Sequence, residues 1–181
     1  MRSGDEAAFT RVYRAVQPGL LRYLTVLVGA EAEDVASETW AQACRGLPGF
    51  RGDIDAFRAW IATIGRNRGL DHHRARARRP ADLLDSLPDR AGPDCTEADA
   101  FEAVSTEAAL ARIRRLPRDQ AEAVMLRAVL GLDAVAAGRV LGKRAGAVRT
   151  SAHRGLRRLA EQLRCEQGSN TFEPADADGV R

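Results

Sequence analysis

The stretch "LDAVAAGRVLGKRAGAVRTSAHRGLRRLAEQL" (Leu132–Leu163) decides the fold of the second half of the chain. Its apolar periodicity predicts a short helix over 133–141, a glycine-containing turn at 142–144 and a longer helix over 145–163. Two helices joined by so short a turn form a helix-turn-helix, whose second helix enters the major groove of DNA.

The second helix of this stretch has two chemically different faces. One face is an apolar stripe that we expect to pack inward: Val148, Ala152, Leu156, Leu159 and Leu163. The other face carries hydrogen-bond donors suited to phosphate oxygens and to guanine O6 and N7. Those donors are Arg149, Thr150, His153, Arg154 and Arg157. We interpret the helix as one that reads DNA; a solvated amphipathic helix is the alternative.

The rest of the chain also shows helical periodicity and no strand-like alternation. This pattern predicts an all-α fold of two small helical domains. Residues 1–80 are expected to form a four-helix domain, with a second helix starting at Pro18 and a fourth ending before Pro80. Residues 81–104 hold prolines and many acids without an apolar period and are expected to be a flexible acidic linker. Helical periodicity returns at about Thr106. The helix-turn-helix domain spans 105–164, and residues 165–181 are expected to be a disordered tail.

Charge is segregated along the chain, although the net charge is only +3. Six arginines face one acid between positions 66 and 79, and eight bases face one acid between 139 and 164. Between 82 and 107 the sign reverses, with eight acids against one arginine. Two basic segments on either side of an acidic one favour a nucleic-acid partner, because released counterions drive the binding of arginine to phosphate.

The basic stretch "DHHRARARRP" (Asp71–Pro80) also contains two adjacent histidines. Neighbouring side chains on a helix point about 100° apart, so His72 and His73 are poorly placed to chelate one metal. The surrounding arginines are spread around the helix rather than along one face, which is better suited to holding phosphates than to forming a core. We therefore expect surface histidines near phosphate and no metal site.

Several classes of function are disfavoured by what the sequence lacks. Its three cysteines, Cys44, Cys95 and Cys165, are far apart, which indicates neither a disulfide framework nor a zinc site. No phosphate-binding loop, nucleophile elbow or metalloprotease motif is present, so we expect no enzyme and no cofactor. No secretion signal or apolar run long enough to span a bilayer is present, so we expect a cytoplasmic protein without membrane insertion.

Two sets of residues resemble a known family. The segments "EDVASETW" (33–40) and "FRGDIDAFRAWIATIGRNRGLDHHRARARRP" (50–80) resemble region 2 of the extracytoplasmic-function (ECF) sigma factors of bacterial RNA polymerase. The segment "LPRDQAEAVMLRAVLGLDAVAAGRVLGKRAGAVRTSAHRGLRRL" (116–159) resembles region 4 of the same family. The resemblance implies a protein that binds RNA polymerase core and directs promoter-specific transcription initiation.

The resemblance also implies roles for individual residues. Region 2 of the family binds the clamp helices of the polymerase β′ subunit, here through Asp34, Glu38 and Thr39. It captures the −10 element as single-stranded DNA, and the matching positions are Phe50, Arg51, Gly52, Asp53 and Asn67, with Arg66, Arg74 and Arg78 holding the backbone. Region 4 touches the β flap and reads the −35 element as duplex. Arg149, Thr150, His153 and Arg154 match its base-facing positions, and Lys143 and Arg144 its phosphate-facing turn.

The chain departs from the family pattern at two places, and the same residues also fit one competing function. The first helix of the helix-turn-helix carries Ala134, Ala136, Ala137 and Gly138 where the family has larger residues, which predicts loose packing or dependence on a partner. Ser37 stands where the family often has glutamine. Family resemblance also implies an anti-sigma factor as a partner. The alternative function is an autonomous dimeric helix-turn-helix regulator that binds an operator without polymerase.

Overall fold

The computed structural model describes residues 6–78 and 97–169, with side chains for 6–78 and 105–165, and the described ranges contain helices and turns but no strand. The first range holds α1 (Glu6–Val28), α2 (Ala32–Gly46) and α3 (Ile54–Arg78), linked by 3-10 turns at Gly29–Glu31 and Leu47–Gly49. The second range holds α4 (Glu97–Arg114), α5 (Arg118–Val124), α6 (Ala134–Leu141) and α7 (Ala145–Ser169). A π turn, Met125–Val129, continues α5.

The first domain has three long helices where four were predicted, because α1 runs straight through Pro18. The expectation of a helix boundary at this proline was wrong. A proline inside a helix removes one backbone hydrogen bond and costs about 3 kcal/mol. Here the apolar stripe continues on both sides of it, with Val16, Leu20 and Leu24 all buried. Burial of that stripe against α2 and α3 outweighs the local cost.

Glycines on α3 allow it to approach α1 closely. A Cβ at Gly69 would lie 2.8 Å from Leu27 Cδ2, and one at Gly65 would lie 3.2 Å from Leu20 Cδ1. Both glycines are buried and stand one turn apart. They form a notch on α3 that receives Leu20 and Leu27 of α1.

The two domains pack against each other. Helix α1 contacts α4, α5 and the π turn, and α3 contacts α6. Buried residues of both domains form one continuous apolar cluster. Gly19 lies at this junction, where a Cβ would be 3.3 Å from Leu130 Cδ2 and 3.4 Å from the Val129 carbonyl oxygen. The described residues therefore form a closed two-domain body.

Two predicted boundaries differ from the observed ones. Helix α4 begins at Glu97 rather than near Thr106, because alanine and glutamate favour a helix even without an apolar period. Helix α7 continues to Ser169 instead of ending near 163. The remainder of the expected linker, residues 81–96, and residues 170–181 of the expected disordered tail lie outside the described residues.

No helix within the described ranges is long and apolar enough to cross a membrane.

Candidate nucleic-acid interface

Helix α7 presents a row of polar side chains to solvent. Arg149, Thr150, His153 and Arg154 are all exposed. Thr150 Oγ1 donates its proton to the Gly146 carbonyl oxygen at 3.1 Å, so its two lone pairs remain available to accept hydrogen bonds. Among the described residues, the guanidinium groups of Arg149 and Arg154 have no ion-pair partner, and Arg157 Nε donates to Glu161 Oε1 at 3.0 Å. A helix surface with unpaired guanidiniums is chemically suited to guanine edges and phosphates.

The apolar face of α7 that packs against the rest of the protein is narrower than predicted. Val148 and Ala152 are buried, but Leu156 is 51% exposed and Leu163 is 44% exposed, so the inward stripe predicted at these two positions was wrong. The packed face continues through Gly155 instead, where a Cβ would lie 2.7 Å from Val124 Cγ2. Because α5 crosses α7 at this glycine, the packed face follows positions 148, 152, 155 and 159.

The turn between α6 and α7 is held tightly. Asp133 Oδ1 accepts from the Ala136 backbone N–H, which caps α6, and Gly142 ends it with a φ of +67°. At Gly138 a Cβ would lie 2.6 Å from the Lys143 carbonyl oxygen. Gly138, which predicted loose packing, is thus required by close approach, and Ala137 is fully buried where α6 packs on α3 and α7. On the turn itself, Lys143 pairs with Asp119 and Arg144 is exposed.

The loop before α3 is held by contacts among its own residues and with the first turns of α3. The ring of Phe50 stacks on Trp60, with 5.0 Å between centroids and 27° between planes. The Arg51 guanidinium donates to the carbonyls of Pro48 and Phe50 at 2.9 and 2.8 Å. Gly52 has a φ of +154°, and a Cβ there would lie 2.7 Å from Ala56 Cβ. Asp53 Oδ1 accepts from the Ala56 N–H at 2.8 Å, which caps α3. Local contacts alone give these four residues defined positions.

The basic end of α3 contains both free and paired side chains. Asn67 is exposed, and so is Arg78, which has no ion-pair partner among the described residues. Arg74 pairs with Asp71 at 3.1 Å on the surface. His73 Nε2 donates to the Leu27 carbonyl oxygen at 2.6 Å, so this histidine ties α3 to α1.

Arg66 is the exception, because its Nε donates to Glu122 Oε2 of the second domain at 2.6 Å. Glu122 is only 4% exposed and also accepts from Arg118 Nε at 2.9 Å and from the Tyr23 hydroxyl at 3.4 Å. Burial would lower the pKa of Arg66, but the hydrogen bond and the charge of Glu122 outweigh it and raise that pKa. Burial, followed by the charge of Glu122, raises the pKa of Tyr23.

The acidic face of α2 carries two of the three residues predicted to contact polymerase. Asp34 and Glu38 are exposed, and Glu38 lies 3.9 Å from Arg68. Thr39 is fully buried, its hydroxyl donates to the Val35 carbonyl oxygen at 2.6 Å, and it faces the notch at Gly65. A direct surface role for Thr39 is therefore incompatible with the structure.

Glu122 and Tyr23 were not predicted from the sequence as a pair. The available signal was an acid inside the apolar run "AEAVML" (121–126), since a glutamate in such a run is rarely buried without a partner. The partner, Arg66, lies 56 positions away and could not be found from spacing.

Two family models and several known proteins match this chain. The model described as Sigma-70 region 2 matches residues 12–79, and the model described as Sigma-70, region 4 matches residues 106–159. The ECF RNA polymerase sigma factor BldN of Streptomyces coelicolor is 35% identical over 168 residues, which cover 90% of this chain and 62% of that protein. The ECF RNA polymerase sigma factor SigD of Mycobacterium tuberculosis is 33% identical over 168 residues, covering 89% of this chain and 79% of that protein.

Solved structures share this fold. The sigma factor RpoE of Bartonella quintana, solved in complex with the anti-sigma factor NepR, matches with a TM-score of 0.63 and 23% identity, covering 87% of this chain and 97% of that chain.

The helical fold, the exposed donors on α7 and the two matched regions define a transcription-initiation factor rather than an enzyme. The chain belongs to the ECF RNA polymerase sigma factors.

Proposed function

We propose that this chain binds RNA polymerase core and directs promoter-specific initiation, with α7 reading a duplex −35 element and the loop and basic end of α3 capturing a melted −10 element. The observation that carries the proposal is the exposed row Arg149, Thr150, His153 and Arg154 on the second helix of a tightly built helix-turn-helix. Lys143, Arg144 and Arg157 flank that row and would hold phosphates. None of the comparisons favours an autonomous dimeric regulator.

Capture of the −10 element is supported by a preformed loop beside free donors. Bases leaving a duplex lose stacking energy, which protein pockets and backbone contacts must replace. Phe50, Arg51, Gly52 and Asp53 are fixed by local contacts and need little reordering on binding. Asn67 would contact a base. Arg74 and Arg78, both exposed, would hold the strand, joined by Arg66 once it is released from Glu122.

Polymerase contacts are proposed at two surfaces. Asp34 and Glu38 form an exposed acidic face on α2 that suits the clamp helices of β′. The exposed leucines of α7, Leu156 and Leu163, stand seven residues apart and offer an apolar surface for the β flap. Thr39 is left out of the proposed contacts because it is buried.

We also propose the domain limits and the cellular setting. Residues 1–80 correspond to region 2 and 105–164 to region 4, with a connection between them of which Glu97 onward is helical. A cytoplasmic location follows from the proposed binding of polymerase. The similarity to a sigma factor solved with an anti-sigma factor supports an anti-sigma partner for this chain.

Run-off transcription with bacterial core polymerase, on fragmented DNA from the host of this protein, tests the function. Promoter-specific transcripts should appear only when the protein is added, and should weaken with Asn67→Ala or Arg154→Ala. A discrete footprint on duplex DNA by the protein alone, with no transcripts, would support the operator-binding regulator instead.

A further inference from the structure

The aromatic ring at the start of the proposed −10 loop rests on a tryptophan of α3. Phe50 stacks on Trp60 with 5.0 Å between ring centroids, and the ring of Phe57 meets both of them edge to face, at 5.5 and 5.7 Å. Aromatic pairs at such distances gain attraction beyond the area that they bury. Phe50 stands between the turn Leu47–Gly49 and α3, outside any helix, so the direction of its ring depends on these contacts.

Trp60 differs from an ordinary core residue in its exposure. Phe57, three positions earlier on α3, is 3% exposed and fills the interior, whereas Trp60 and Phe50 are both half-buried. Asn67, the other proposed base contact, stands seven positions after Trp60 and therefore lies on the same side of α3, about 10 Å further along the helix. The stacked rings and Asn67 thus line one surface.

Space for the indole is left by a glycine at the end of α2. A Cβ at Gly46 would lie 2.9 Å from Trp60 Cζ2 and 3.2 Å from its Cη2. Gly46 has a φ of −86° and a ψ of −13°, which are helical angles that any residue adopts. Glycine in a helix is less favourable than alanine, so the backbone gives no reason for it here. The ring of Trp60 does give one.

The ring and the backbone of Phe50 are held by different contacts. The ring lies on Trp60, and its Cζ comes so near Gly52 that a Cβ there would be 3.1 Å away. The backbone N–H donates to the Leu47 carbonyl oxygen at 3.1 Å, and the Phe50 carbonyl oxygen accepts from Arg51 at 2.8 Å. Removal of the indole would therefore free the ring while the hydrogen bonds of the loop remain.

We propose that Trp60 is a positioning residue for recognition of the −10 element: seated in the space at Gly46, its indole holds the ring of Phe50 in the orientation that stacks on an unstacked base. This inference rests on the proposed function. Stacking on an aromatic ring recovers energy that a base loses on leaving the duplex, and a ring already held in place loses less entropy when the base arrives. Trp60 thus affects base selection through Phe50.

Discrimination between −10 sequences in run-off transcription tests this role. The templates carry the promoter found with the wild-type chain and each single-base change in its −10 element. Phe50→Ala should lower the preference for the native base at one position by about tenfold. Trp60→Ala should lower it at the same position by about fivefold, and the double variant should lose no more than Phe50→Ala alone. Trp60→Phe, which keeps a ring on Phe50, should stay within about twofold of the wild type.

A merely structural role for Trp60 would not produce this pattern. Loss of folded protein lowers transcription from every template equally and leaves the ratio between templates unchanged. Gly46→Ala keeps the indole but displaces it, and should lower the same preference by about twofold or more. Gly49→Ala is the matched control, because nothing lies within 4 Å of its added methyl group, and it should discriminate as the wild type does.

Two failures can be told apart. Wild-type discrimination in both Trp60→Ala and Gly46→Ala, or a loss at a position other than that of Phe50→Ala, would overturn the positioning role and leave the proposed function standing. Absence of transcripts from the wild-type chain would overturn the proposed function, and this inference with it.

Discussion

Arg66 Nε lies 2.6 Å from Glu122 Oε2, and this contact joins α3 of the first domain to α5 of the second across 56 positions of sequence. The family resemblance alone implies that Arg66 holds DNA backbone, whereas in the closed structure it holds a protein carboxylate. One residue thus takes part both in the domain contact and in the proposed −10 site.

The glycine inside α6 is expected to be essential to the helix-turn-helix. Gly138→Ala would place a Cβ 2.6 Å from the backbone oxygen of Lys143, which can move only if the turn moves. We expect a loss of about 1–3 kcal/mol in the free energy of unfolding, measured by urea titration. Gly146→Ala is the matched control, since nothing lies within 4 Å of its added methyl group, and it should be neutral or up to about 1 kcal/mol more stable. Equal stability of the two variants would contradict the close approach.

Base contacts and phosphate contacts on the second domain should be separable. Arg154→Ala should cost about 1–3 kcal/mol on the preferred −35 sequence and relax discrimination at one base position. Arg144→Ala, on the turn, should weaken binding equally on all duplexes and reduce the slope of log K against log salt by about 1. Holoenzyme binding to a panel of −35 duplexes at several salt concentrations measures both effects. If both variants behaved alike across the panel, the assignment of Arg154 to base contact would be wrong.

Tyr23 should make the closed protein sensitive to alkali. Its folded pKa is raised by burial above the unfolded value of about 10, so the folded protein keeps a proton that the unfolded chain loses. This contribution to stability is complete below about pH 10 and falls as the pH rises further. Thermal unfolding of the wild-type chain should therefore depend more steeply on pH from about 10 to 11.5 than that of Tyr23→Phe. Parallel curves would contradict the burial of this hydroxyl; Tyr13→Phe, at an exposed position of the same helix, is the control.

The polymerase surface on α2 should depend on its acids and not on its threonine. Asp34→Asn should weaken binding to core polymerase by a few-fold, since one exposed charge contact is worth about 1 kcal/mol or less. Thr39→Val keeps the buried volume and removes a hydroxyl that only bonds its own helix, so binding should be unchanged and stability should fall by about 1 kcal/mol or less. Titration of labelled core polymerase measures both. A larger loss of binding in Thr39→Val than in Asp34→Asn would reverse the assignment.

Much of the architecture could be predicted from the sequence because it depends on short-range chemistry. The helix-turn-helix follows from a 3.6-residue apolar period, a capping aspartate at Asp133 and a left-handed glycine at Gly142. The exposure of Arg149 and Arg154 follows from the same period. Family membership, too, could be recognised from motifs whose residues stand close together in the chain.

Only the tertiary structure decided which residues meet across the domains. From local sequence preferences alone a helix would end at Pro18. Burial of the apolar stripe on both sides of this proline nevertheless keeps α1 continuous. The same local preferences place Leu156 inside the fold and count Gly138 as a weakness, whereas the crossing of α5 and α7 leaves Leu156 exposed and the close approach of the turn at Lys143 requires Gly138. The pairing of Glu122 with Arg66 depends on how the two domains dock. The docking is set by the three-dimensional fit of side chains that are distant in sequence.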